Sequence, residues 1–203
     1  MLVKEKFCRL ILFKKIIFLF KITTIFLLTM NISFADVHKN IISKLALTKT
    51  MSFNFQQKVA EKEEVGTCFI KYPLLMKCEY KNIKGKILIS NGKTIAIIKK
   101  KYKKIYRYPI KSTPLFIILD KDKITNLIKN IQPTEVNSNT IEFEFVDKKM
   151  NKLIILFSSK TSELKGWKTV DAYSNNVSFI ISNNKKNKQI VDSFFAIPKE
   201  NDL

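Results

Sequence analysis

Residues 66–80 alternate between two kinds of side chain, and this alternation restricts the fold more than any other feature of the sequence. A period of two is typical of β-strands with one buried face, and Pro73 divides the segment into two strands that fold back on each other. One face of this hairpin should line an interior, which is either a filled core or a cavity that holds a ligand. The apolar or amphipathic side chains of that face are Cys68, Ile70, Tyr72, Met76, Cys78 and Tyr80.

Cys68 and Cys78 are equally far from Pro73, so a turn centred on this proline places them opposite each other. Facing positions are close enough for a disulfide, which would contribute about 3 kcal/mol for a loop of this size. In a compartment that permits disulfides, the two cysteines are therefore a candidate pair. The alternative is that both act as small hydrophobic side chains, and the sequence does not decide between the two.

Residues 1–35 have the three parts of a secretory signal peptide. Basic residues up to Lys21 precede a short apolar run at 22–28, and Ser33 and Ala35 suit a cleavage site. The alternative is an uncleaved membrane anchor, which needs roughly 20 apolar residues. Lys21 interrupts the only stretch that could supply them. We therefore expect cleavage after Ala35 and export of the rest of the chain in soluble form.

Cleavage of 35 of the 203 residues would leave one domain of 168, residues 36–203, which is long enough for a sizeable core. The full chain has a net charge of +20, of which the leader carries +5 and residues 36–203 carry +15. Proteins that bind nucleic acid or anionic surfaces have such charges. However, the lysines are spread along the chain, as an AT-rich coding bias would place them, and an exported protein rarely meets nucleic acid. We therefore expect no nucleic-acid partner and a mild attraction to anionic lipid or an acidic partner.

The remaining patterns predict a mainly β protein with some helices (α+β). A helix is expected from Asp36, and two short amphipathic helices at 113–119 and 122–131 interrupt the strands. Because a sheet of so many strands must curl, we expect a partly closed antiparallel β-barrel whose open side is plugged by helices. Strands are predicted around residues 51–55, 87–89, 95–98, 102–108, 141–145, 153–157, 166–173, 177–182 and 194–197, with a polar loop at 183–188.

The sequence offers little for catalysis. His38 is its only histidine and has no cysteine or acidic cluster at metal-binding spacing, so we expect an exposed helix residue. No nucleophile elbow and no phosphate-binding glycine loop are present, and the whole chain has 4 glycines. These features predict no enzyme, no metal site and no cofactor. The abundance of Phe, Ile and Leu fits the binding of an apolar ligand better.

Several short motifs resemble those of one known family and follow the same order. They are Phe55–Gln57, Gly66–Pro73, Ser90–Lys93, Thr113–Leu119, Leu164–Trp167 with Asp171, and Phe195–Pro198. Each motif is short, and their number and order make the match specific over almost the whole of residues 36–203. The chain resembles the LolA family, the periplasmic carrier proteins of outer-membrane lipoproteins.

The resemblance implies a monomeric periplasmic half-barrel in which helices form a lid over a hydrophobic cavity. Such carriers take acylated lipoproteins from an inner-membrane ABC transporter, shield the acyl chains and deliver them to the outer membrane, in some systems to a receptor. Any single cavity residue could equally fill a closed core. The candidate cavity residues are Phe53, Phe55, Ile70, Met76, Tyr80, Ile141, Phe143 and Phe145. The candidate lid residues are Leu115, Phe116, Ile118, Leu119, Leu127 and Ile131.

Tyr72 departs from the family pattern, which often has an arginine before the turn proline. Such an arginine can donate hydrogen bonds to the backbone of the lid and hold the empty carrier shut. Tyr72 is the candidate latch of this chain, although a phenol donates one hydrogen bond and lacks the fork of a guanidinium.

The alternative function is an envelope sensor of lipid or lipoprotein signals, or another lipid-binding module of the same fold. Depletion in the native bacterium discriminates these functions. Loss of a carrier leaves outer-membrane lipoproteins in the inner membrane, whereas loss of a sensor changes transcription and leaves their sorting intact.

Overall fold

Residues 66–80 form two of the eleven β-strands in the described part of the chain, and these strands make one antiparallel sheet. The computed structural model describes residues 34–146, 152–171 and 174–203. The predicted signal peptide lies outside the described residues except for its last two. Val37–Leu203 form one compact unit.

In the described part of the chain the strands are joined mostly by short turns, with one helix before the first strand and two helices between β6 and β7. The helices are α1 (Phe34–Leu47), α2 (Leu115–Ile118) and α3 (Lys121–Lys129). Short 3₁₀-helices lie at Lys100–Tyr102, Ile110–Ser112, Asp192–Phe195 and Glu200–Asp202. The strands are β1 (Thr50–Val59), β2 (Lys62–Lys71), β3 (Leu75–Tyr80), β4 (Lys86–Asn91), β5 (Thr94–Lys99), β6 (Lys104–Pro109), β7 (Glu135–Val136), β8 (Thr140–Val146), β9 (Lys152–Ser158), β10 (Leu164–Val170) and β11 (Asn176–Lys186).

The sheet has the order β6-β5-β4-β3-β2-β1-β11-β10-β9-β8-β7, so β6 and β7 are its two edges. Because these edges do not pair with each other, the curled sheet is an open half-barrel with a concave and a convex face. This architecture confirms the predicted fold class, a mainly β protein with a partly closed antiparallel barrel and helices. Among the described residues, no helix combines the length and the apolar character that crossing a membrane requires.

The three helices pack on the concave face, where alternate residues of the strands are buried. The predicted hairpin shows the pattern, because Cys68 faces Cys78 and Ile70 faces Met76 across β2 and β3, and all four are buried. The helices contribute a matching apolar stripe, since burial of both surfaces is what stabilises a helix on a sheet. The buried helix residues are Ile41, Leu45, Ile118, Ile124 and Ile128.

The prediction of a polar loop at 183–188 is wrong for most of its length. β11 continues to Lys186, where its backbone pairs with Met51 of β1. Pairing with a neighbouring strand therefore overrides the low strand propensity of the asparagines and lysines in this segment.

The prediction of a last strand at 194–197 is also wrong. This segment is the end of a 3₁₀-helix, Asp192–Phe195, followed by chain that makes no strand pairing. The Phe194 ring lies 5.1 Å from the ring of Phe69 on the convex face. The C-terminal segment therefore covers an apolar part of the convex face. The residues of this second, smaller core are Ile87, Ile89, Ala96, Ile98, Ile105, Ile197 and Leu203.

Candidate functional site

Four aromatic side chains form a continuous row across the concave face. Trp167 and Phe179 face each other across β10 and β11, and their rings are nearly parallel with centroids 4.1 Å apart. Phe55 of β1 stacks on Phe179 at 4.8 Å, and Tyr80 of β3 meets Phe55 edge-on at 5.1 Å. Aromatic pairs at such distances stabilise beyond the area they bury. The row is therefore a well-packed apolar floor, which we call the aromatic floor.

A cavity of about 210 Å³ borders the aromatic floor. It lies between β3–β5, the paired strands β1, β11 and β10, and the residues that begin α2. Its wall is mainly apolar, with few polar side chains, as is typical of sites for apolar ligands. The lining residues are Gln57, Met76, Cys78, Tyr80, Lys86, Leu88, Ile97, Pro114, Leu115, Trp167, Thr169, Val177 and Phe179.

Lys86 is the charged residue of the cavity wall, and a carboxylate neutralises it. Its ammonium donates hydrogen bonds of 2.6 Å to both carboxylate oxygens of Glu64 and lies 4.0 Å from the centroid of the Tyr80 ring. The Tyr80 hydroxyl donates to the side-chain oxygen of Gln57 at 3.2 Å. Burial, and in addition the negative charge of Glu64, raises the pKa of Tyr80 well above its usual range. The cavity therefore combines an apolar floor with one polar, neutralised corner.

A larger cleft of about 710 Å³ lies at the ends of β1, β9, β10 and β11. Its wall contains Lys58, Glu61, Lys152 and Lys168. Charged side chains of this kind keep water and do not suit an apolar ligand. We therefore take the smaller, apolar cavity as the candidate site.

All eight candidate cavity residues lie on the concave face. Met76 and Tyr80 line the cavity, and Phe55 belongs to the aromatic floor. The remaining five belong to the core that the helices cover, so here they fill space between sheet and helices. They are the buried Phe53, Ile70, Ile141 and Phe143 and the half-buried Phe145.

The sequence interpretation missed the wall opposite Met76, which includes Trp167, Phe179 and Val177. Alternation along β11 places Val177 and Phe179 on one face, and this signal was available. Which strand faces them is decided by the pairing of β11 with β1, which joins segments more than 100 residues apart. The missing information is therefore the long-range register.

The helices α2 and α3, with the residues that flank them, form the lid. Among the candidate lid residues, Ile118 and Leu119 are fully buried, and Leu115, Phe116 and Ile131 are half-buried against the same core. Leu127 is half-buried but does not join that core. The buried face of α3 is instead formed by Ile124 and Ile128.

A few hydrogen bonds hold the lid to the turn between β2 and β3 and to the residues between α1 and β1. The N–H of Leu74, in the turn between β2 and β3, donates to the carbonyl of Leu119 at 2.8 Å. The Ser90 hydroxyl donates to the carbonyl of Leu74 at 2.5 Å and so orients this turn. At the start of α3, the ammonium of Lys121 donates to the carbonyl of Thr48 at 2.9 Å. The lid is therefore fixed mainly by apolar packing and by few polar contacts.

The expectation that His38 is exposed is wrong. His38 is half-buried on α1, and its Nε2 forms a hydrogen bond of 2.9 Å with the carbonyl oxygen of Ile131, just after α3. Its ring meets that of Phe143 edge-on at 5.4 Å. The histidine therefore links α1 and the end of the lid to the concave face. In the described part of the chain, no group of His, Cys, Asp and Glu could hold a metal ion.

Tyr72 lies beneath the lid, next to the turn that binds it. Its hydroxyl donates to the Met51 sulfur at 3.9 Å, and the ammonium of Lys121 lies 5.6 Å from the centroid of its ring. Burial raises the pKa of Tyr72 well above its usual range. The hydrogen bond to the lid backbone comes from Leu74, two residues further along the chain.

Cys68 and Cys78 are joined by a disulfide across β2 and β3. Both side chains are buried on the concave face, and Cys78 also lines the cavity. The bond therefore staples the hairpin that forms one wall of the candidate site.

Replacing Cys68 and Cys78 together with alanine is expected to lower the free energy of unfolding by about 3 kcal/mol, because the cross-link restricts the unfolded chain. For a chain of this size the melting temperature should fall by roughly 6–12 °C. Thermal unfolding by circular dichroism measures the change, and reduced wild-type protein is the control, since it loses the cross-link alone. Equal melting temperatures of oxidised and reduced wild type would show that the disulfide contributes nothing.

Solved structures with a similar fold come from several bacteria. An uncharacterised conserved protein from Thermus thermophilus is 8% identical and has a TM-score of 0.49, with 81% of this chain and 94% of that chain covered. A LolA superfamily protein from Nitrosomonas europaea is 9% identical with a TM-score of 0.44, at 82% and 98% coverage. The lipoprotein LppX of Mycobacterium tuberculosis is 9% identical with a TM-score of 0.43, at 78% and 98% coverage.

Comparison with curated proteins gives no significant match. One protein family does match, over most of the chain. The matching family is described as the outer membrane lipoprotein carrier protein LolA, and the match spans residues 46–198. These residues include the sheet, the lid and the aromatic floor described above. The chain therefore belongs to the LolA family.

Proposed function

We propose that this protein is a periplasmic carrier that binds the acyl chains of lipoproteins. An inner-membrane ABC transporter would release the lipoproteins to it, and it would deliver them to the outer membrane or to a receptor there. The observation that carries this proposal is the apolar cavity of about 210 Å³, bordered by an aromatic floor beneath a helical lid. Membership of the LolA family supports the same class of cargo.

Acyl binding of this kind needs no covalent chemistry, so we propose a binding function without catalysis. Burial of each methylene group contributes about 0.8 kcal/mol. The side chains of Ile118 and Leu119 occupy the same concave face when the lid is closed. Their packing competes with the ligand and lowers its net affinity. A moderate affinity suits a carrier that must also release its cargo.

The size of the cavity implies that the lid moves when cargo enters. Sites for drug-sized ligands measure about 300–1,000 Å³, and the cavity of about 210 Å³ is smaller. We therefore interpret this structure as the closed form of the carrier. Displacement of α2 and α3 would extend the cavity toward the buried Ile70 and Phe143, two of the candidate cavity residues.

A fatty acid that carries bromine on its chain is expected to quench the fluorescence of Trp167 in a saturable way. Trp167 is the only tryptophan of the sequence and lines the cavity, and bromine quenches at contact distance. Leu88→Asp should weaken binding at least tenfold, because an acyl chain that covers this wall would remove water from the carboxylate, which costs more than about 1.4 kcal/mol. Ile83→Asp, in an exposed loop outside the cavity, is the matched control and should bind as wild type does. Quenching that does not saturate, or equal loss in both variants, would contradict acyl binding at this cavity.

Depletion of the protein in its native bacterium tests the delivery step of the same proposal. Outer-membrane lipoproteins should accumulate in the inner membrane, and wild-type protein should restore their sorting whereas Leu88→Asp should not. Fractionation of the two membranes measures this distribution. Altered transcription with intact lipoprotein sorting would instead indicate a sensor.

A further inference from the structure

A dense cluster of positive charge lies at one edge of the sheet. Residues 99–111, which we call the basic edge, comprise the end of β5, a 3₁₀-turn, the edge strand β6 and the start of the next turn. This segment contains no acidic residue. Its cationic side chains, all on exposed residues, are Lys99, Lys100, Lys101, Lys103, Lys104, Arg107 and Lys111.

The charges of the basic edge are largely uncompensated. Arg107 forms an ion pair with Glu200 at 3.4 Å. None of the six lysines of the basic edge forms an ion pair with a carboxylate of the described residues. By contrast, Lys86, Lys152 and Lys168 on other strands each bind a carboxylate of the sheet. Lysines on an edge strand also discourage pairing with other chains. That role does not account for Lys100 and Lys101, which lie in the turn and not on the strand.

Three tyrosines are interleaved with these lysines. Tyr102, Tyr106 and Tyr108 are 62%, 43% and 46% exposed, although large aromatic side chains are usually covered. The ammonium groups of Lys101 and Lys99 lie 5.6 Å and 5.4 Å from the rings of Tyr102 and Tyr106. Tyrosine is enriched where a protein meets the headgroup region of a membrane, because its ring is apolar and its hydroxyl is polar. An acidic peptide would need only the positive charge of the lysines and would leave the exposed tyrosines without a role. The combination of both therefore favours an anionic lipid surface as the partner.

The basic edge borders the candidate cavity. Ile97 lines the cavity and pairs with Tyr106 of the edge strand, so the two side chains share the concave face. In the strand register, Lys99 lies opposite Lys86 of β4 on one side and opposite Lys104 of β6 on the other. The three lysines therefore form a row across β4, β5 and β6 on that face. The surface that would touch a membrane is therefore the rim of the cavity.

We propose that the basic edge docks on membranes that carry anionic lipid and brings the rim of the cavity to the bilayer surface. The docking itself does not depend on cargo. Its use in lipoprotein delivery rests on the function proposed above. Clusters of about four to eight basic residues bind anionic membranes. Each lysine near the surface raises the affinity roughly fivefold.

Sedimentation with vesicles tests this docking in the purified, exported protein. Phosphatidylcholine vesicles that contain phosphatidylglycerol should bind the wild type, and pure phosphatidylcholine vesicles should not. Binding should be lost between about 0.1 M and 1 M salt, where the screening length falls from about 10 Å to 3 Å. The triple variant Lys100→Gln, Lys101→Gln, Lys104→Gln should bind on the order of 100-fold more weakly.

The matched control is the triple variant Lys39→Gln, Lys160→Gln, Lys185→Gln, which removes the same charge from exposed sites outside the basic edge. It should bind vesicles nearly as wild type does. Tyr102→Ser should weaken vesicle binding severalfold at low salt. Because this substitution changes no charge, such a loss would mean that the ring enters the membrane interface. Equal weakening in both triple variants, or no binding to anionic vesicles, would overturn the proposal. Unchanged vesicle binding by the basic-edge variant together with its loss of binding to an acidic peptide would also overturn it.

The acyl-probe titration separates this inference from the proposed function. The basic-edge variant should quench with the brominated fatty acid as wild type does, because its substituted lysines do not line the cavity. Loss of vesicle binding with intact acyl binding supports docking as a separate property. Failure of the wild type to bind the acyl probe would overturn the carrier function, and vesicle binding would still decide the docking.

Discussion

Replacing Ile128 with aspartate is expected to open the lid and to raise the affinity for a brominated fatty acid at least tenfold. Ile128 is 0% exposed and lies on the face of α3 that packs in the core. The closed form would lose about 1.5–3 kcal/mol of apolar burial and would bury a carboxylate with no cationic partner, which costs several kcal/mol more. Few hydrogen bonds join α2 and α3 to the sheet, so the lid can leave while the strands remain paired. When the lid is open, a ligand no longer has to displace it. The apparent affinity for the ligand therefore rises with the fraction of protein whose lid is open.

Two measurements report this opening. Trp167 is 4% exposed in the closed form, so its emission should shift to longer wavelength when the lid leaves the concave face. Titration with the brominated fatty acid then gives the affinity of the open form. Far-ultraviolet circular dichroism should show the strand content of the wild type, since the register of the sheet does not involve α3.

Leu127→Asp is the matched control for this prediction. Leu127 is the neighbouring residue on the same helix, but it is half-buried and does not join the core. The same charge at this position should leave both the emission of Trp167 and the affinity close to those of the wild type. If Ile128→Asp binds the acyl probe no more tightly than Leu127→Asp does, the lid does not compete with cargo.

The contrast between Ile128 and Leu127 also shows what the sequence could predict about the lid. The apolar stripe of residues 122–131 identified an amphipathic helix that covers the sheet, because helical periodicity is local. The stripe was too broad to show which of its residues are the most deeply buried. That depends on how α3 is oriented on the concave face, which buries Ile124 and Ile128 and leaves Leu127 only half-buried.

The cavity wall divides in the same way. The face of residues 66–80 was predictable, since a hairpin with a short turn pairs residues close in sequence, and Cys68 does face Cys78. The aromatic floor was not predictable. It requires Phe55 and Phe179 to be on adjacent strands, and this pairing closes a loop of more than 100 residues. Likewise, the C-terminal segment covers the convex face because an apolar surface of β4 and β5 is already there, which no local pattern of residues 194–197 reveals.

Gly166→Ala is expected to lower the free energy of unfolding by about 2–6 kcal/mol and to abolish acyl binding. Gly166 has a φ of +151°, where a residue with a side chain is strained by about 1–3 kcal/mol. A Cβ atom at this position would lie 2.1 Å from the carbonyl oxygen of Phe179, a backbone atom of the paired strand. Relief of this overlap costs about 1–3 kcal/mol more. It also moves β10 away from β11, which separates Trp167 from Phe179 and breaks the aromatic floor.

Gly92→Ala separates the two causes of this destabilisation. Gly92 also has a positive φ, +91°, but its added Cβ would meet only the Leu75 side chain at 3.8 Å, an ordinary contact. This control should lose only the conformational part, and its acyl affinity should stay close to that of the wild type because it lies outside the cavity. Thermal unfolding and quenching of Trp167 measure both variants. If Gly166→Ala is no less stable than Gly92→Ala and still binds the acyl probe, close pairing of β10 with β11 is not what holds the aromatic floor in place.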